Sequence, residues 1–273
     1  MTMINTFVEM LGHGFIQRAL IVGLITGIIS AIMGVSLVLK NFSMIGDGLS
    51  HVGFGAFALA VVLGFTPLYF ALPIVIIAAF LMLGLSKKSS INADAMIALL
   101  SSSSLALGVV ATSLSKGMTI DIYQFMFGSI LTIGKTDLYA TLIISAIVFV
   151  IYILNYNKIF AITFDENFSK AIGVNVDAYR MMLAIITALV IVIGMRVMGA
   201  MLISSLLLFP ALSSLRLFRS FKTCLIAACI ISAISIVLGI SISFMASLPT
   251  GSVIVLVNLV IFIIATIIGK IKK

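Results

Sequence analysis

From about residue 19 onward, long apolar runs separated by short polar or Gly/Pro breaks dominate the chain. A membrane-crossing helix needs roughly 20 apolar residues at about 1.5 Å of rise each. Runs of that order lie at about 19–39, 42–65, 68–85, 95–114, 138–154, 181–195, 197–215, 223–245 and 252–268. The pattern predicts an all-α fold, a polytopic transmembrane bundle of eight or nine helices. The count turns on whether the two runs flanking Arg196 form one broken helix or two. Residues 1–273 read as a single transmembrane domain whose most polar window, about 164–180, lies outside the membrane.

Composition sharpens this picture. Of 273 residues, 63% are hydrophobic and only 9% charged, with a mean hydropathy of +1.37, far from the range of a water-soluble domain. Orientation follows from Lys and Arg, which gather on cytoplasmic loops. With the tail "KIKK" inside, alternation of nine spans also places Lys40, Lys87, Lys88, Lys158, Lys170, Arg180, Arg216, Arg219 and Lys222 inside, in all twelve of the 16 basic residues. The same bias accounts for the net charge of +8, so no nucleic-acid partner is implied. The amino end, "MTMINTFVEMLGHGF", lacks the basic segment of a secretory signal, and the first span is expected to be retained.

Several features exclude other chemistry. Cys224 and Cys229 lie five apart within one apolar run, a spacing of neither redox nor zinc-finger type, and read as packing residues. "GSILTIGKT" at 128–136 resembles a nucleotide-binding loop, but five residues separate the first glycine from Gly-Lys-Thr where four are required. Energy from ATP must therefore enter through another subunit. There is neither an HExxH zinc motif nor a GxSxG nucleophile, so no catalytic residue is assigned and no permanently bound cofactor is expected.

The candidate chemistry sits in "MIGDGLSHVGFG", residues 44–55. Asp47 and His51 are i and i+4, one turn apart on one helix face. A span starting near Phe42 puts them roughly 8 to 14 Å along the helix, and an intramembrane carboxylate costs roughly 2.5 to 3.5 kcal/mol on insertion scales. The pair suits a divalent cation, because carboxylate oxygen and imidazole nitrogen both ligate first-row metals. A proton relay or a plain buried hydrogen bond would use the same residues. Gly46, Gly48, Gly53 and Gly55 leave room around the pair for a cation or a second helix.

The polar window "FDENFSKAIGVNVDAYR" reads as a short helix capped by Asp165, with Glu166 in its first turn and Gly173 ending it. Asn175 then caps the next helix, with Asp177 in its first turn. Arg196 is expected to be a structural charge with a carbonyl or carboxylate partner, and Pro210 to kink its helix. Ser101–Ser104 could line a hydrated path or pack helices. Glu9 and His13 read as surface residues, and Asp121 and Asp137 flank an outer loop.

"LVLKNFSMIGDGLSHVGFGAFALAVVLG" also resembles the motif of the permease subunits of ABC importers for zinc, manganese and iron, in which a basic residue and a serine precede Gly-Asp-x-x-Ser/Ala-His. "IDIYQFMFGSILTI", "FDENFSKAIGV", "MRVMGAMLISSLLLFPALSS" and "LPTGSVIVL" are similar to later segments of that family, in the same order. The resemblance implies a multi-pass permease of the cell membrane that works as a homodimer. It implies an extracytoplasmic metal-binding protein that delivers Zn2+ or Mn2+ and, less readily, iron, and cytoplasmic ATP-binding subunits that drive transport. It implies that Asp47 and His51 coordinate the ion in transit, and that Asp165, Glu166, Ala171 and Gly173 belong to a helix coupled to the ATPase. The alternative is a secondary metal transporter driven by ions or protons, which would need neither the 165–180 segment nor an ATPase.

Overall fold

Inside a bilayer no water satisfies the peptide groups, so each segment must close its own hydrogen bonds, and helices do this. The computed structural model describes residues 12–85, 93–114, 128 and 133–271, among which every regular element is helical. In chain order these are α1 (Gly14–Leu39), α2 (Ile45–Val62), α3 (Pro67–Leu85), α4 (Ala93–Leu114), α5 (Lys135–Leu154), α6 (Tyr156–Phe164), α7 (Glu166–Ala171), α8 (Val176–Met198), α9 (Ala200–Leu217), α10 (Phe221–Ala246) and α11 (Thr250–Ile271). Eight of them, all but α3, α6 and α7, are long and apolar enough to cross a membrane.

The doubtful element is α3, not the pair about Arg196. That pair forms two separate spans, α8 and α9, joined by Gly199 alone, whose φ of 88° and ψ of 158° fall where only glycine is comfortable. Thr26 of α1 and Ile203 of α9 both meet Gly194 of α8, as they would if α9 folds back along α8. As for α3, Gly48 of α2 faces Ile97 of α4 and Met82 of α3, whereas Gly53 faces Val75 and Gly55 faces Ser104. Thus α4 runs parallel to α2 and α3 antiparallel, so α3 traverses the bundle as a ninth apolar helix.

The core lies around α1, α2 and α8, whose apolar windows are 67%, 72% and 72% buried, against 17% for α4 and α5 at the periphery. At one end, Ile16, Val22, Met198, Leu202, Ile240 and Ile254 form a separate apolar layer. At the other, Tyr156, Phe160 and Phe164 of α6 close around Phe221 at the start of α10. This second end carries Lys40, Lys158, Lys170, Arg180, Arg216, Arg219, Lys222 and Lys270. The first has Arg18, Lys135 and Arg196.

Arg196 does have a carboxylate partner: its guanidinium lies 3.0 Å from Asp137 at the start of α5. Pro210 is buried within a continuous α9. The Gly134–Thr136 portion of the false nucleotide loop caps and begins α5 without a preceding strand among the described residues. Glu9, Lys87, Lys88, Asp121 and the end of the basic tail lie outside the described residues.

Candidate functional site

The α1–α2 turn sets the site. Asn41, at φ 62°, ends α1 in a left-handed step, with Phe42 N–H donating to the Leu37 carbonyl at 2.9 Å and Asn41 N–H to that of Val38 at 3.0 Å. This paired closure satisfies the last carbonyls of the helix and tolerates Asn where bulkier residues would strain. Ile45 N–H then donates to Phe42 O and Gly48 N–H to Met44 O, which leads the chain into α2.

Because α2 begins at Ile45, Asp47 is its third residue and His51 its seventh, about 3 and 9 Å from the helix start. The pair is therefore nearer its helix start than in a span beginning at Phe42. Asp47 sits in the first turn, where free N–H groups favour an anion. Its side chain is 50% exposed in the single chain and that of His51 22%, while Gly46, Gly48, Leu49, Ser50, Val52 and Gly53 are buried. One turn beyond, Phe54 and Ala58 are covered again. The two side chains occupy the only bare stripe on this half of α2.

His51 Nε2 lies 3.5 Å from Asp47 Oδ2. Two ligand atoms each about 2.1 Å from one tetrahedral or octahedral cation stand about 3.0 to 3.4 Å apart, so a small closing movement would let both hold one ion. No group of three or more His, Cys, Asp or Glu side chains able to hold a metal exists among the described residues. Among the described residues, Asp47 and His51 are thus two candidate donors brought together by one chain.

Of the two uses their small size suggested, room for a cation or for a second helix, the glycines serve the second. Gly46 faces Leu207 and Ser204 of α9, Gly48 faces Ile97, Gly53 faces Met195 and Gly55 faces the Ser104 backbone. All four admit neighbouring helices, and Ser50 Oγ reaches Ser204 Oγ of α9 at 3.1 Å. Of the serine run, Ser102 and Ser103 are exposed on α4, and Ser104 packs against Gly55.

The second region is α7, built as its residues predict. Asp165 Oδ1 accepts from Phe168 N–H at 2.9 Å, Gly173 ends the helix at φ 84° with Val174 N–H on the Ser169 carbonyl, and Asn175 Oδ1 accepts from Ala178 N–H to start α8. Ala171 and Gly173 are exposed. Phe164, Phe168 and Ile172 present an apolar surface at the basic end, each more than half exposed.

Sequence reasoning missed α6 and a charge cluster. Lys40 Nζ donates to Glu166 Oε1 at 2.7 Å, and Arg180 donates to Glu166 Oε2 at 3.1 Å and to Asp177 at 3.0 Å. The signal for α6 was present in Ile159 and Ile162, three apart and both buried; the cluster joins residues 126 apart and had none.

The family model described as the ABC 3 transport family matches residues 12–269. The manganese transport system membrane protein MntC of Listeria monocytogenes is 30% identical over 253 residues, covering 93% of this chain and 90% of that protein. The high-affinity zinc uptake system membrane protein ZnuB of Haemophilus influenzae is 29% identical over 247 residues, covering 90% and 95%. Among solved structures, PsaBC from Streptococcus pneumoniae in complex with Fab has a TM-score of 0.87 at 28% identity, covering 100% of each chain.

Proposed function

Because the chain belongs to the ABC 3 transport family, we propose that it is the membrane permease subunit of an ATP-driven importer of divalent transition-metal ions, with Mn2+ or Zn2+ as cargo ahead of iron. The observation that carries this reading is the Asp47–His51 pair, 3.5 Å apart on the one bare stripe of the inner half of α2, in a chain matched over nearly its whole length. The basic end bearing α7 faces the cytoplasm by the positive-inside rule.

An extracytoplasmic binding protein delivers the ion at the opposite end. Asp47 and His51 hold it in transit, and a second copy of the chain supplies the same two donors across a dimer axis, making a site of up to four ligands. A site that opens by parting two halves can release its cargo, which a closed four-ligand cage does not do readily. ATP hydrolysis occurs in separate cytoplasmic subunits, which grip the exposed apolar surface of α7. A secondary carrier would have no use for that surface.

The test is uptake into proteoliposomes holding the full importer and its binding protein, with Mn2+, Zn2+ and Fe2+ offered singly. ATP-dependent entry of Mn2+ or Zn2+ is expected. Uptake that follows a proton gradient without ATP would overturn the proposal.

Gly173 offers a narrower check. A side chain there meets nothing within 4 Å, so the cost of Gly173→Ala is the left-handed backbone alone, about 1 to 2 kcal/mol. The end of α7 is expected to refold locally, so that metal transport falls while ATP hydrolysis continues. ATPase activity still stimulated normally by the loaded binding protein would contradict a coupling role for α7.

A further inference from the structure

Lys40, Glu166 and Arg180 come from three parts of the chain and meet beneath the surface of the basic end. Their side chains are 8%, 22% and 14% exposed. Glu166 takes one cation on each carboxylate oxygen, Lys40 at 2.7 Å and Arg180 at 3.1 Å. We propose that Glu166 is a positioning residue that fastens the coupling helix α7 to the α1–α2 turn, so that displacement of α7 by the ATPase is delivered to the end of α2 that carries Asp47 and His51. This inference rests on the reading that α7 docks the ATPase.

The parts on either side of the ion pair are stiff. Lys40 caps α1, and backbone hydrogen bonds from Lys40, Asn41, Phe42 and Ile45 hold the turn from it to α2. On the other side, α7 is locked by Asp165 at its start and Gly173 at its end, with Glu166 in its first turn. It packs on its flanking helices α6 and α8, and the Lys40 pair is its side-chain bond to the α1–α2 turn. A short helix held between two stiff anchors moves as a lever.

Glu166 is the carboxylate that joins the two cations, since Asp177 pairs with Arg180 and not with Lys40. Without its charge, Lys40 and Arg180 are two cations facing each other with little water between them, and opening the cluster is the relief. Burial and the Arg180 charge already push the Lys40 ammonium down to about 8. The groups around it are Glu166 from α7 and Arg180 from α8, with Asp177 on the far side of Arg180. Lys40 is thus mostly charged at pH 7 and loses its charge, and the ion pair with it, as pH rises through about 8.

The experiment measures metal ions transported per ATP hydrolysed by the complete importer in proteoliposomes, for Lys40→Met, Glu166→Gln, the double variant and the unaltered protein. Each single variant is expected to lower this ratio about tenfold, the upper part of the range for residues that carry coupling, with ATPase subunits still co-purifying. The double variant is expected to fall no further, because each change already breaks the same Lys40–Glu166 bond. Unchanged ratios in the single variants, or a double loss equal to the product of the two, would overturn the proposal. Lys40→Arg keeps its charge at high pH and is expected to sustain the ratio above pH 8, where the unaltered protein declines; identical alkaline limbs count against the linkage. Cross-linking from Phe168→Cys to the ATPase separates the two levels. If the unaltered α7 surface gives no cross-link, the docking reading fails; a cross-link without ratio changes sinks only the linkage.

Discussion

Asp47→Ala and His51→Ala are each expected to reduce metal uptake by at least about 100-fold, since even outer-shell partners of a metal site are worth 10- to 100-fold. Cells carrying either variant at normal membrane abundance would show this as lost accumulation of the radiolabelled cation. The fold should not suffer: Asp47 is half exposed, and the polar contact given for His51 among the described residues is the 3.5 Å approach to it, so neither truncation breaks another described polar bond. Loss of uptake with unchanged thermal stability in detergent is the expected combination. Asp47→Asn tests charge against shape, because the amide keeps an oxygen donor but binds a divalent ion weakly. Uptake near the unaltered level in Asp47→Ala would remove this pair from the pathway.

The second large effect is structural. Gly34→Val is expected to destabilise the protein by about 3 kcal/mol or more, beyond the usual cost of overpacking. A Cβ at Gly34 of α1 would land on the Leu207 carbonyl of α9, with the Ala211 side chain just behind it. A clashing side chain can rotate away, but this neighbour is helix backbone in the turn before Pro210, and whole helices must separate to make room. Gly14→Ala is the control, because a Cβ there meets nothing within 4 Å. The comparison is made by the temperature at which each variant aggregates in detergent. Equal temperatures for Gly34→Val and Gly14→Ala would mean that α1 and α9 do not touch as described.

Much of this was legible in the residues because the decisive signals are local. Apolar runs give spans, since the bilayer forces each segment to satisfy itself. Asp165, Gly173 and Asn175 announce their caps by chemistry that acts over three or four residues, and the structure places all three as read. The i, i+4 spacing of Asp47 and His51 was equally visible, although an apolar run blurs where a helix begins, and the helix starts three residues later than read. Long-range partners were not legible. That Lys40 would find Glu166, or that the second helix admitted at Gly55 would be α4, depends on which helices become neighbours. A stretch of Leu, Ile and Val does not encode that.

The position of Asp47 in the opening turn of α2 bears on how long an ion stays. The exposed amides at that terminus carry roughly half a positive charge, steadying the carboxylate while opposing any cation that settles against it. On the proposed role of the pair, occupancy would be brief: strong enough to receive cargo, too weak to keep it once the surroundings loosen. Turnover would then be governed by the opening of the pathway and hardly at all by the grip of the ligands.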